Sequence, residues 1–157
     1  MKISTLLPLI LLFFTTSQLA TANPSPADTS ERHRIEEMIW GSESAYFTRL
    51  YKADYEGVLL LTDSLFLGWP ESVGKPVGKP ESAVYMKKLI QKPTQCKCTV
   101  VRGGITLTST TAITQYLLRV ICPGTEDAMV SRISHTWVKR GNVWRLLGGM
   151  SVAVSSK

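Results

Sequence analysis

The sequence predicts one α+β domain, with helices in its first half and an antiparallel sheet in its second. Three observations carry this reading. Apolar residues recur at helical spacing between Glu31 and Lys52. From Cys96 to Ala153 the pattern changes to strand-like segments divided by turn residues. Within that half, Ser134–Leu147 reads as a strand, a Gly141-Asn142 turn and a second strand, with Trp137, Trp144 and His135 in the paired segments. A His beside bulky aromatics in a late hairpin is where a small open barrel would line a pocket.

The first residues read as a secretory leader. Lys2 supplies a positive charge, Leu6 to Phe14 is an apolar run broken by Pro8, and Ala20-Thr21-Ala22 offers a small-x-small cleavage site. Residues 1–22 are therefore read as a signal peptide, and the mature protein as secreted or periplasmic. The run is too short for a comfortable membrane span. Residues 23–30, rich in Pro, Ser, Ala and Thr, are read as a disordered leader. Residues 31–154 form the domain, long enough to bury a real core.

Glu31 to about Lys52 is predicted as a long amphipathic helix. Its recurring positions are Ile35, Met38, Ile39, Ser42, Ala45, Tyr46, Arg49 and Leu50, and Thr29 or Ser30 would cap it. Asp54 is a good N-cap for a short second helix ending at Leu61. Ser64 to Leu67 reads as a strand stopped by Gly68-Trp69-Pro70. A loop from Ser72 to Lys79 leads to a third helix, started by Pro80 and Glu81 and ending before Pro93. Four strands follow, at about 96–107, 111–122, 128–139 and 143–153.

Turn positions then set a register. A two-residue loop at Gly141-Asn142 puts Trp137 opposite Leu146 and His135 opposite Gly148. A turn centred near Thr125 puts His135 near Gln115. Since alternate residues share a face, one face would hold Ile113, Gln115, Leu117, Arg119, Ile133, His135, Trp137, Leu146 and Met150. This set is the more apolar and should face the helices; its polar exceptions are Gln115, Arg119 and His135.

Charge and cysteine content limit the function classes. Of 18 Lys and Arg, Lys2 belongs to the leader, which leaves 17 against 12 Asp and Glu. The positive residues are scattered rather than clustered with aromatics, so a nucleic-acid partner is not expected. The three cysteines allow one disulfide in an oxidising compartment, between Cys122 and either Cys96 or Cys98. They do not make a zinc site, since a fourth ligand is missing. No phosphate loop, serine-nucleophile elbow or metal motif is present, and no cofactor is expected.

The order helix, helix, strand, helix and four strands resembles the NTF2-like superfamily over Glu31 to Val154. Within it the chain is most similar to the DUF4440 and SnoaL-like branch, through Asp54-Tyr55-Glu56-Gly57, Asp63, and His135-Thr136-Trp137 with Trp144-Arg145-Leu146. The resemblance implies a cone-shaped curved sheet wrapped around a pocket, as in cystatin-like folds, closed on one side by about three helices. It also implies a homodimer. Ketosteroid isomerase belongs to the same superfamily. Aligned on Asp54-x-Glu56-Gly57, its catalytic tyrosine falls at Tyr46, its general-base Asp at Trp69 and its protonated oxyanion-hole carboxyl near His135. Trp69 cannot abstract a proton, so one role is kept in kind, one is lost and one is changed.

The candidate catalytic residues are thus His135, Tyr46 and Asp63. His135 titrates near neutrality and can act as acid, base or donor. Tyr46 can donate into the pocket, and Asp63 would pair with His135 in an Asp–His dyad or serve as a turn carboxylate. Trp69, Gln115, Arg119, Trp137 and Met150 would line the ligand site. Two functions follow: a module that binds a small, mostly apolar molecule carrying one acceptor or acidic group, or a metal-free enzyme of isomerase, dehydratase or cyclase type.

Overall fold

The computed structural model describes residues 26–154. Helix α1 spans Pro26–Tyr51 and so begins ahead of the predicted start. Proline suits a first helical turn and Asp28 lies in that turn, where a carboxylate meets the positive end of the helix. Residues 26–30, read as a disordered leader, are therefore helical, and Thr29 and Ser30 sit inside the helix instead of capping it. The predicted signal peptide lies outside the described residues. Helix α2 spans Tyr55–Leu61, and the Asp54 side chain caps it by accepting from the Gly57 amide at 2.9 Å. Helix α3 spans Lys79–Leu89, with Pro80 in its first turn as expected.

The strands are β1 (Thr62–Trp69), β2 (Val77–Gly78), β3 (Lys97–Leu107), β4 (Thr111–Ile121), β5 (Met129–Arg140) and β6 (Val143–Ala153). They form one curved sheet in the order β2-β1-β6-β5-β4-β3. The run from β3 to β6 is antiparallel as predicted, but β1 joins β6 in parallel and β2 pairs β1 antiparallel, so the whole sheet is mixed. β2 lies in the segment predicted as loop, since two residues carry no alternation. β1 is longer than predicted and includes Asp63 and Trp69.

Bulges bend the sheet. In β3 the register shifts between Arg102 and Gly104, and a Cβ on the intervening Gly103 would come 2.6 Å from the Gln115 carbonyl. In β6 it shifts between the partners of Thr136 and Trp137, leaving Leu147 as the extra residue. Trp137 pairs with Leu146 as expected, but beyond the bulge His135 faces Gly149 rather than Gly148.

The concave face packs on α1. One apolar group joins Trp40, Phe47 and Leu50 of α1 to Tyr116, Leu118, Val120 and Ile133, and another joins Ile39 to Phe66, Trp137, Trp144 and Leu146. On β4 the buried residues are Ala112, Thr114, Tyr116, Leu118 and Val120, the reverse of the predicted face. The cause is one residue of register: His135 pairs with Thr114, not Gln115, and a one-residue shift exchanges the faces. A disulfide joins Cys96 to Cys122, and Cys98 is a free, half-buried thiol. Burial pushes the Cys98 thiol up to about 11, so it is a poor nucleophile at neutral pH. Among the described residues no helix is long and apolar enough to cross a membrane.

Candidate functional site

The site is built around a carboxylate that the sequence reading passed over. Glu43 lies on α1 between Ile39 and Phe47, one turn from each, and is fully buried. The helix thus turns residues 39, 40, 43, 47 and 50 to the sheet. A charged residue in that stripe needs partners, and four donors surround it. Thr114 Oγ1 donates to Oε1 at 2.5 Å and Trp137 Nε1 donates to the same oxygen at 2.7 Å. Tyr116 OH donates to Oε2 at 2.7 Å, and His135 Nδ1 lies 2.7 Å from Oε2. The donors come from adjacent strands β4 and β5, which the sheet register holds side by side.

Burial would raise the Glu43 carboxyl, but the charge and hydrogen bond of His135, with the hydroxyls of Thr114 and Tyr116, outweigh it and hold the group below its ordinary value. Glu43 is therefore an ionised acceptor. Tyr116 is pushed far up, first by burial and then by the Glu43 charge, and remains a phenol donor. Since an ionised carboxylate only accepts, the hydrogen on the short His135 contact belongs to Nδ1. That leaves Nε2 as the ring nitrogen open to a ligand. No protein group among the described residues hydrogen-bonds it, and His135 lines the cavity described below.

Aromatic rings fix the imidazole. Phe47 lies parallel to it at 6.2 Å, and Tyr46 and Tyr116 meet it edge-on at 5.7 and 5.8 Å. Gly149 closes the other side: a Cβ there would come 2.3 Å from His135 Cδ2 and 2.4 Å from the Ser134 carbonyl. We expect Gly149→Ala to lose about 2 kcal/mol of stability through overpacking and to displace the imidazole. Urea denaturation checks the first effect; an unchanged midpoint would show that the strand yields instead.

The cavity holds about 560 Å³ and lies between α1, α3, β1 and the concave face of β4–β6. His135 and Tyr46 line its interior. Burial, then the Glu43 charge, raises Tyr46, which stays neutral; its hydroxyl points to Met86 Sδ at 4.0 Å. Trp69 and Met150, paired across β1 and β6, line the cavity and are half-exposed.

Four predicted residues lie elsewhere. Asp63 is buried, but its carboxylate is bound by Arg140, at 2.8 Å from Nε and 3.2 Å from Nη2, and by the Leu65 amide. The Arg140 guanidinium holds it below the usual carboxylate range. It is a structural ion pair at the β1 start and makes no dyad with His135, whose acid partner is Glu43. Gln115 and Arg119 stand exposed on the convex face, as the β4 register requires. Trp137 is fully buried beneath the cavity and holds Glu43 instead of lining the wall. Among the described residues no group of three or more His, Cys, Asp or Glu could hold a metal ion.

Neither protein-family models nor curated proteins match the chain. Solved structures do. An NTF2-like protein of unknown function from Pseudomonas putida superposes with a TM-score of 0.68 at 11% identity, over 82% of this chain and 89% of its own. An NTF2-like protein with a cystatin-like fold from Novosphingobium aromaticivorans gives 0.67 at 16% identity, over 85% and 92%. A provisionally assigned ketosteroid isomerase from Parabacteroides distasonis gives 0.63 at 16%, over 75% and 86%. The helices on a curved six-stranded sheet and these likenesses together identify the architecture: the chain has the NTF2-like, cystatin-like fold.

Proposed function

We propose that this is an exported domain of the SnoaL-like and DUF4440 type that holds a small, mostly apolar molecule in its cone pocket. One observation carries the reading: a 560 Å³ cavity walled by aromatic and aliphatic residues encloses one oriented imidazole. An apolar cleft with few convergent polar groups is the usual form of a small-ligand site. The leader sequence supports export, as does the Cys96–Cys122 disulfide, because such bonds persist in oxidising compartments. Native mass spectrometry of the exported protein should find a retained small molecule. Phenylbutanol serves as a neutral probe: His135→Ala, compared at equal folded fraction, should lower its affinity roughly tenfold through the lost contact between the imidazole and the probe's ring. Unchanged affinity would leave His135 a structural residue.

A second reading, an enzyme of isomerase, dehydratase or cyclase type, is favoured by the Glu43–His135 pair. A carboxylate on Nδ1 orients the ring and stabilises the imidazolium formed when Nε2 takes a proton. Tyr46 stands beside it as a neutral donor. Solvent deuterium appearing in the recovered ligand would support proton transfer; its absence after prolonged incubation would count against it.

A homodimer belongs to the same proposal. Val101 and Leu117 pair on the convex face and are exposed together with Ile113, an apolar patch suited to a second copy. Light scattering should give twice the chain mass, and Leu117→Glu should halve it.

A further inference from the structure

The wall of the cavity has a charge pattern that bears on what enters it. The chain carries a formal net charge of +6, yet among the described residues no Lys or Arg lines the cavity. Among the described residues its one charged side chain besides the His135 imidazole is Glu71, at the mouth. Glu71 has no cation paired with it among the described residues; its carboxylate accepts only from Ser131 Oγ, at 3.2 Å, and its backbone amide is anchored on Ser151 Oγ at 3.0 Å. Two aromatic side chains, Trp69 and Tyr85, line the cavity with it. Trp69, two residues earlier, is half-exposed and fixed by its Nε1 donating to the Val73 carbonyl at 2.7 Å. Tyr85 of α3 meets the hydroxyl of Ser72, the next residue. Met150, paired with Trp69, adds a polarisable thioether. A carboxylate without a paired cation among the described residues, on a wall that also carries Trp69 and Tyr85, is the chemistry that recognises an organic ammonium group.

We propose that the ligand is an organic cation: an apolar body seated toward His135, with an amine or quaternary ammonium head held at the mouth by Glu71, Trp69 and Tyr85. This rests on the cavity being the ligand site and refines what it takes. It also departs from the acidic or acceptor group expected when Arg119 was read as a wall residue.

The test uses the mature protein and phenylbutyl probes bearing a trimethylammonium, a hydroxyl or a carboxylate head, with affinities read by calorimetry. The cation should bind about tenfold tighter than the alcohol, matching a partly exposed cation–π contact reinforced by a carboxylate nearby, and the carboxylate should bind weakest. Glu71→Gln, an exposed change that keeps an acceptor for Ser131, should bring the cation to within about threefold of the alcohol and leave the alcohol unchanged. An alcohol or carboxylate that binds as tightly as the cation, or a preference that survives Glu71→Gln, overturns the cation assignment while the cavity remains a ligand site. If no probe binds, the cavity reading falls and the assignment with it.

Discussion

Glu43→Ala is expected to destabilise the fold by about 4 kcal/mol, since each stranded buried donor costs roughly 1–3 kcal/mol and the site relaxes only in part. Four donors lose their acceptor at once: Thr114, Tyr116, His135 and Trp137. Against a total stability of roughly 5–15 kcal/mol, that leaves little margin. Glu43→Gln keeps the volume but turns one oxygen into a donor that faces other donors, and should cost about 2 kcal/mol. The pH dependence has a definite sign. The folded-state value of Glu43 lies below its ordinary 4.5, so its contribution is complete above the unfolded value and is lost as pH falls through the folded one. Wild-type stability should therefore drop below about pH 4.5, with a shallower drop in Glu43→Gln. Urea denaturation from pH 7 downward measures both, and equal stability of wild type and Glu43→Gln at pH 7 would contradict the four-donor arrangement.

Removing the disulfide should cost nearly as much. Cys96 and Cys122 are 26 residues apart and close the β3–β4 hairpin. Releasing a loop of that length frees unfolded-state entropy worth about 3.5 kcal/mol. Both cysteines also line the cavity, so the reduced protein should lose probe affinity as well as stability. Cys96→Ser with Cys122→Ser, followed by denaturation under non-reducing conditions, gives the stability change. Thiol titration of the unfolded, unreduced wild type should find a single thiol, Cys98; three thiols would show that the bond does not form.

The fold was legible because its signals are local and redundant. Asp54 caps a helix, Pro80 starts one, and the Gly141-Asn142 turn fixes the last hairpin, so the Trp137–Leu146 pairing could be read directly. The site was only half legible. On β4 the sets Ile113, Leu117, Ile121 and Ala112, Leu118, Val120 are equally apolar, so alternation alone could not choose a face, and the choice fell to a turn whose length was misjudged by one residue. Gln115 and Arg119 entered the predicted site with that error. His135 was found because β5 buries Ile133, His135 and Trp137 in clear alternation.

Glu43 falls outside the predicted stripe because a stripe through Ser42 and Ala45 is rotated from the buried face. A stripe drawn through Ile39, Trp40, Phe47 and Leu50 places Glu43 in its middle, and that signal was available. Its partners were not, since Thr114, Tyr116 and Trp137 come together only through the sheet. Asp63 attracted the dyad role by chain position, and only the fold shows that Arg140 occupies it. Gly149, rather than Gly148, became the neighbour of His135 through the bulge at Leu147, which no turn signal marks.

The most direct test of the site is the nitrogen resonance pair of the His135 imidazole, read by NMR in the folded protein with and without phenylbutanol. With the cavity empty, Nδ1 should carry the hydrogen that Glu43 accepts, and Nε2 should have no protein partner among the described residues. On saturation with the probe the Nε2 resonance should move while Nδ1 stays bonded to Glu43. A proton found on Nε2 alone, or an Nε2 resonance that does not move while the probe binds, would contradict a Glu43-oriented imidazole facing the ligand.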